Sequence, residues 1–298
     1  MGSASLESAL AGFLASTSAG LFFPLEVIKV HLMVADGRSK NFTPHFRHSM
    51  QVLRSLYAEG GILRLYRGWY LSTANSITWG VYFYVYQLGK DNVGQVLSPH
   101  HHELAKLMVA FQASVVTALA MNPLMVIKTR VMLLKYQQVW HQDIVDSVRK
   151  LWRLDGPMGF FNGLVPALFL SLNGTLHMYF YETFKEHFNP EHDNYKTSAI
   201  GAISKLLSSA LLHPFQTLKY RMQQEQHSGF ILKRGHEVSG EVDRSRLFAG
   251  LKECIQSTYQ YEGIRGFYKG MAINLARLLP ANAVFFLVYE NTLKFFGR

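Results

Sequence analysis

Three apolar stretches of this chain each carry a proline followed five residues later by a lysine: Pro24 and Lys29, Pro123 and Lys128, Pro214 and Lys219. Two residues after each proline stand Glu26, Met125 and Gln216. Positions two and five after the proline are three apart, so on a helix they share a face. A charge inside a membrane-length helix costs about 3 kcal/mol unless it is paired. Paired with the neighbouring copy, these charges form a gate that closes when the ring is made and opens when a bound solute replaces it. Glu26 is the only acid of the set. The ring therefore offers one ion pair, Glu26 with Lys128, and one amide-to-lysine hydrogen bond through Gln216.

Lys205 is a further cation with chemistry to do. It lies in the apolar run from Ile203 to Leu212, where packing calls for no lysine, and intramembrane ionisable residues are functional by default. It suits the negative part of a solute. Trp79 and His177 could stack on or hydrogen-bond a ring, or serve the core. The sequence shows no nucleophile–base pair, no Gly-rich phosphate loop and no metal-ligand spacing, so an enzyme is not expected. The histidines at 100–102 sit in a polar connector without matching ligands on a helix.

The elements that must position these residues come in three copies. The proline frames are 99 and 91 residues apart, and such a period is read before anything else. A second mark follows each: Arg64-Leu65-Tyr66-Arg67-Gly68, Gly159-Phe160-Phe161-Asn162-Gly163 and Gly266-Phe267-Tyr268-Lys269-Gly270. A third closes each unit: Tyr86-Gln87-Leu88-Gly89-Lys90, Tyr181-Glu182-Thr183-Phe184-Lys185, and Tyr289-Glu290 with Lys294. Two apolar stretches per unit are each about the ~20 residues that span a bilayer. The odd-numbered ones are rich in Ala, Ser and Gly, which let helices approach closely. The expected fold is all-α: six tilted transmembrane helices in a threefold pseudosymmetric bundle, with a short surface helix between the two spans of each unit. Prolines should kink the odd helices. The repeats are placed at 1–98, 99–190 and 191–298, as one structural domain.

Composition agrees. Mean hydropathy is +0.04, too low for an all-lipid bundle and too high for most soluble domains. The net charge of +10 suits anionic lipid and an anionic solute. The basic residues are spread among membrane-length segments, which argues against nucleic acid. The single cysteine, Cys254, rules out an intrachain disulfide. Residues Met1 to Glu7 lack a basic region ahead of the apolar run, so no cleavable signal is expected there. Leu6 stands where a myristoylation motif wants Ser or Thr. The polar stretch 226–245 reads as an extended loop.

These three marks, three times each, resemble the mitochondrial carrier family over essentially the whole chain. Within it the chain looks most like folate and flavin-nucleotide (FAD) carriers, through Val34-Ala35-Asp36-Gly37, Asn122-Pro123-Leu124, Lys128-Thr129-Arg130, Ala202-Ile203-Ser204-Lys205, His213-Pro214-Phe215-Gln216, Trp79-Gly80-Val81-Tyr82-Phe83 and Val288-Tyr289-Glu290-Asn291. The resemblance implies a multi-pass protein of the mitochondrial inner membrane. It would be monomeric, in contact with lipid including cardiolipin, and would exchange access between two gates. The solute would be transported and not held as a prosthetic group.

The proline frames would form the matrix gate. Gln87, Lys90, Glu182, Lys185 and Glu290 would form the cytoplasmic gate, with Leu293 at a position the family makes basic. A family member binds its solute seven residues after the repeated glycine. That count gives Arg277, whose planar fork needs a phosphate or carboxylate. It also gives Leu170 with Ser171 as a shelf for a flat ring, and Asn75 or, counting back from Trp79, Ala74. A bulky planar anion such as FAD or folate fits; so does NAD or a pyrimidine nucleotide. A carrier-fold scaffold without transport is the competing class. The chain departs from the family at Met125, where the subgroup has tryptophan, and at Asn162, where it has a basic residue.

Overall fold

The computed structural model describes residues 18–35, 49–74, 78, 81–82, 84–86, 88–89, 102–134, 140–188, 194–224 and 246–295. Every regular element among them is helical. A short 3₁₀ turn, Ala19–Phe22, leads into α1 (Phe23–Val34), followed by α2 (Ser49–Leu65) and α3 (Trp69–Ala74). The middle of the chain forms α4 (His102–Leu133), α5 (Trp140–Asp155), a 3₁₀ turn at Pro157–Phe161, α6 (Leu164–Leu170) and α7 (Asn173–Phe188). The last third forms α8 (Asn194–Leu211), α9 (His213–Gln223), α10 (Arg246–Glu262), a one-turn helix Ile264–Phe267 and α11 (Met271–Phe295). Among the described residues, two stretches, 111–133 and 157–188, are long and apolar enough to cross a membrane by length and composition.

The side chains say where lipid lies. Along α8, Ile203, Leu207 and Leu211 are exposed, while Ser204 and Ser208 on the other face are fully buried. The spacing of four puts the three aliphatic residues in one stripe. An exposed apolar stripe over a buried polar one is the inverse of a helix on a water-soluble core, and matches packing in lipid.

The prolines do not act alike. Pro123 stays inside the continuous α4. Pro24 and Pro214 lie in the first turns of α1 and α9, where a helix has free N–H positions and proline loses nothing. The expected kink is, at these two sites, a helix that stops and restarts. The residue before the proline then ties the frame to the glycine mark of its own repeat. Asn122 Nδ2 donates to Phe160 O (2.8 Å), and His213 Nε2 donates to Lys269 O (3.0 Å).

What joins one repeat to the next is a ring of cations on helix ends. The carbonyl nine residues after each proline belongs to Met33, Met132 or Gln223. Arg221 Nε donates to Met33 O (2.8 Å), Arg64 Nη1 to Met132 O (3.0 Å), and Arg130 Nε to Gln223 O (3.2 Å). Each repeat thus caps the odd helix of the following repeat, and the third caps the first. The last carbonyls of a helix have no partner within it, and a cation there also suits the helix dipole.

Each guanidinium is held by an acid of its surface helix. Arg221 meets Glu262 at 2.8 Å, Arg130 meets Asp155 at 2.7 Å and Arg64 meets Glu59 at 3.2 Å. Burial pushes the Glu262 carboxyl up, but Arg221 and Lys269 outweigh it and hold it below its ordinary value. A second tier uses the basic residue before the repeated glycine. Arg67 Nη1 donates to Leu134 O (2.9 Å) and Lys269 Nζ to Ala35 O (2.8 Å). The middle repeat has Asn162 at that position.

The first repeat builds its clamp from a different place. Arg130 and Arg221 sit seven residues after their prolines, where the first repeat has His31. Its guanidinium comes instead from Arg64 of α2, at the position that is Gly159 and Gly266 in the other copies. Arg64 Nη2 also donates to His31 Nε2 (3.3 Å), whose Nδ1 donates to Val27 O (2.9 Å). The apolar contact of Val52 and Leu56 with Val27, Val30 and Val34 fastens α2 to α1, and full burial of each such side chain is worth about 1.5–3 kcal/mol.

The repeated glycines answer a positive φ at all three positions and close backbone approach at two. Gly68, Gly163 and Gly270 have φ of 85°, 75° and 77°, which only glycine adopts freely. A Cβ on Gly163 would stand 3.0 Å from Lys219 O, one on Gly270 3.3 Å from Lys29 O, and one on Gly68 3.9 Å from Lys128 O. Gly163 and Gly270 therefore let their backbones lie against the lysine of the next proline frame, while at Gly68, where 3.9 Å is an ordinary contact, the positive φ is what favours glycine.

Candidate solute site and gate

The proline frames converge as their spacing requires. Lys128 Nζ of α4 donates to Glu26 Oε1 of α1 at 2.8 Å, with both side chains largely buried at 12% and 14% exposure. The same carboxylate serves a second cation: Arg277 Nη1 of α11 lies 3.7 Å from Glu26 Oε2. Arg277, expected to wait for the solute's anion, thus already leans on the gate's only acid, and its Nε is buried with no partner among the described residues.

The amide-to-lysine bond expected through Gln216 is not made among the described residues. Lys29 is 1% exposed and donates to Asn274 Oδ1 (3.3 Å), with its ammonium 5.3 Å from the centre of the Tyr220 ring. Asn274 lies three residues before Arg277 and outcompetes Gln216 because α11 approaches Lys29 at Gly270. Phe215, beside Gln216, stacks on Phe169 at 4.7 Å. Lys219, opposite Met125, has no ion-pair partner among the described residues. Glu26→Gln removes a carboxylate shared by two cations and is expected to cost about 3 kcal/mol. Gln216→Ala should cost about 1 kcal/mol or less, as an ordinary substitution without a named bond. Thermal unfolding of the two variants in detergent checks the order.

On the even helices the ladder is interrupted at Ser171 and Leu172, between α6 and α7. Leu170 and Ser171, the expected shelf, are half-buried at this break. Ser171 Oγ donates to Leu168 O (2.6 Å). His177 Nε2 donates to Gly201 O (3.3 Å), so that nitrogen is occupied by α8. Lys205 Nζ donates to Asn173 Oδ1 (2.8 Å).

At the opposite end Glu182 and Lys185 are exposed and form no ion pair among the described residues. Ala74 closes α3 and Glu290 lies within α11. Asn75, Trp79, Gln87, Lys90 and the stretch 226–245 lie outside the described residues.

Among the described residues Glu26 meets two cations, Lys128 and Arg277, while Lys29 and Lys205 rest on the amides of Asn274 and Asn173 and Lys219 forms no ion pair. Two acceptors that hold these cations were not apparent from the sequence. Asn274 and Asn173 are neutral acceptors for the Lys29 and Lys205 ammonium groups, and neither falls in a repeated mark.

The profile of the family described as "Mitochondrial carrier protein" matches residues 3–96, 100–192 and 190–298. This chain belongs to the mitochondrial carrier family. It is a multi-pass membrane protein of a family of transporters, which are not enzymes. Among its relatives is the chloroplastic folate transporter 1 of Arabidopsis thaliana, 28% identical over 97% of this chain and 94% of the relative. The mitochondrial FAD carrier protein of Saccharomyces cerevisiae is 31% identical over 90% of this chain and 89% of the relative. The mitochondrial nicotinamide adenine dinucleotide transporter 1 of the same yeast is 29% identical over 96% and 74%. The carrier therefore stands among transporters of folate, FAD and NAD, in mitochondria and in chloroplasts.

Proposed function

We propose that this carrier moves a bulky planar anionic cofactor, of the FAD or folate type, across the mitochondrial inner membrane by alternating access. Six spans, two per repeat, enclose the path. The pairing of Glu26 with Lys128 and the burial of Lys29 support a reading of the proline frames as a closed matrix gate, and the exposure of Glu182 and Lys185 supports an open gate at the other end.

The observation that carries this reading is a set of cations short of carboxylates: Glu26 meets Lys128 and Arg277, while Lys29 and Lys205 rest on neutral amides, the latter on Asn173 just after the half-buried Leu170–Ser171 shelf. Arg277 links site to gate. An anion that takes Arg277 draws it from Glu26 and releases the contact of α11 with α1, leaving Lys128 as the remaining ion-pair partner of Glu26 and weakening the closed ring as the solute binds. The likeness to an NAD transporter makes NAD the second reading, since its pyrophosphate and flat rings meet the same groups.

A thermal-shift series of the purified protein with FAD, folate, NAD and UTP tests the reading, because a bound solute stabilises the folded state. FAD or folate should give the largest shift and should be taken up by liposomes containing the protein. A shift without uptake would make the chain a binding scaffold, and no shift with any of the four would overturn the proposal.

A further inference from the structure

We infer that Asn173 is a positioning residue which holds the Lys205 ammonium in place without neutralising it, so that the charge stays available for the phosphate or carboxylate of the solute. The inference rests on the reading of Lys205 as part of the solute site.

Two contacts between antiparallel helices fix the geometry. Asn173 of α7 meets Lys205 of α8, and His177, one turn further along α7, meets Gly201, one turn back along α8. Four residues up one helix correspond to four residues down the other. The bond from Lys205 to Asn173 is therefore set by the packing register of α7 on α8, not by a loose surface rotamer. Gly201 has room for this approach, its nearest side-chain neighbour being Tyr181.

The chemistry of the acceptor gives the role. An ammonium has three donors and no acceptor. In an apolar run it must hydrogen-bond or lose its charge to burial. An amide oxygen satisfies one donor and leaves the full positive charge uncompensated, with two N–H groups free for an oxyanion. No carboxylate forms an ion pair with Lys205 among the described residues. A carboxylate at 173 would have stabilised the fold better and removed the charge from use.

Asn173→Asp separates the two roles because it should move stability and binding in opposite directions. The empty protein should melt higher, by about 2–4 °C. Affinity for FAD, folate or NAD, whichever shifts the wild type most, should fall at least about tenfold as the new carboxylate occupies Lys205. Lys205→Ala should lose the same affinity, and adding it to Asn173→Asp should lose little more, since the residues act as one unit. Asn173→Gln, which keeps the amide, should bind better than Asn173→Asp and controls for folding.

Equal solute-induced shifts in wild type and Asn173→Asp would overturn the assignment, as would fully additive losses in the double variant. Absence of any shift in the wild type would instead overturn the transport reading beneath it.

Discussion

Arg277→Ala abolishes uptake by reconstituted liposomes, lowering it by at least about 100-fold, the cost of truncating one partner of a desolvated charge pair. The fold survives the change. Arg277 touches Glu26 at the long distance of 3.7 Å, and Glu26 keeps its 2.8 Å bond to Lys128. The protein should therefore reach the membrane at normal levels, melt within a few degrees of wild type and lose its solute-induced shift. Arg277→Lys should restore only part of the uptake, because an ammonium cannot offer the planar two-pronged donor set that a phosphate or carboxylate accepts. Wild-type uptake by Arg277→Ala would remove Arg277 from the site.

The exchange between His31 and Arg64 predicts a pair of substitutions each harmful alone and tolerated together. Arg64→Gly gives the first repeat the glycine of the other two, but strips Met132 O of its cap. It should cost about 2–3 kcal/mol, less than a fully buried pair because Glu59 is 45% exposed and can turn to water. The melting temperature should fall by about 5–10 °C. His31→Arg alone sets a second guanidinium against Arg64 and should also destabilise. The double variant places the guanidinium seven residues after Pro24, where Arg130 and Arg221 already reach the equivalent carbonyls, and should recover more than half of the loss. Thermal unfolding of the four proteins decides the matter; a double variant as unstable as the sum of the singles would show that Arg64 has no counterpart in the other repeats.

Much of this was legible in the sequence because repetition supplies internal controls. Three prolines with lysines in phase place the gate, and the pairing of Glu26 with Lys128 follows from the order of the repeats. The partner of Lys29 was not legible. Gln216 matched the repeat, yet Asn274 wins by proximity, since Gly270 brings α11 against Lys29, and no pattern in the sequence measures that distance. The same holds for Arg277, whose contact with Glu26 depends on how α11 crosses α1. The clamp ring was half legible: Arg130 and Arg221 share a spacing, but Arg64 breaks it, and a search by phase alone stops at His31. Asn162, which departs from the basic position before the glycine, turns out to leave the second tier of caps with two members, Arg67 and Lys269.

The cyclic order of the caps bears on how the chain is made. The ends of α1 at Met33 and Ala35 are capped by Arg221 and Lys269, more than 180 residues downstream. During synthesis the first repeat emerges with these carbonyls unserved and stays so until the last third of the chain has been translated. Contacts between distant parts of a chain are slow to form because the loop between them must first be closed. The first repeat therefore waits for the third, and a nascent chain truncated before Arg221 should remain open to proteolysis however complete its first two repeats are.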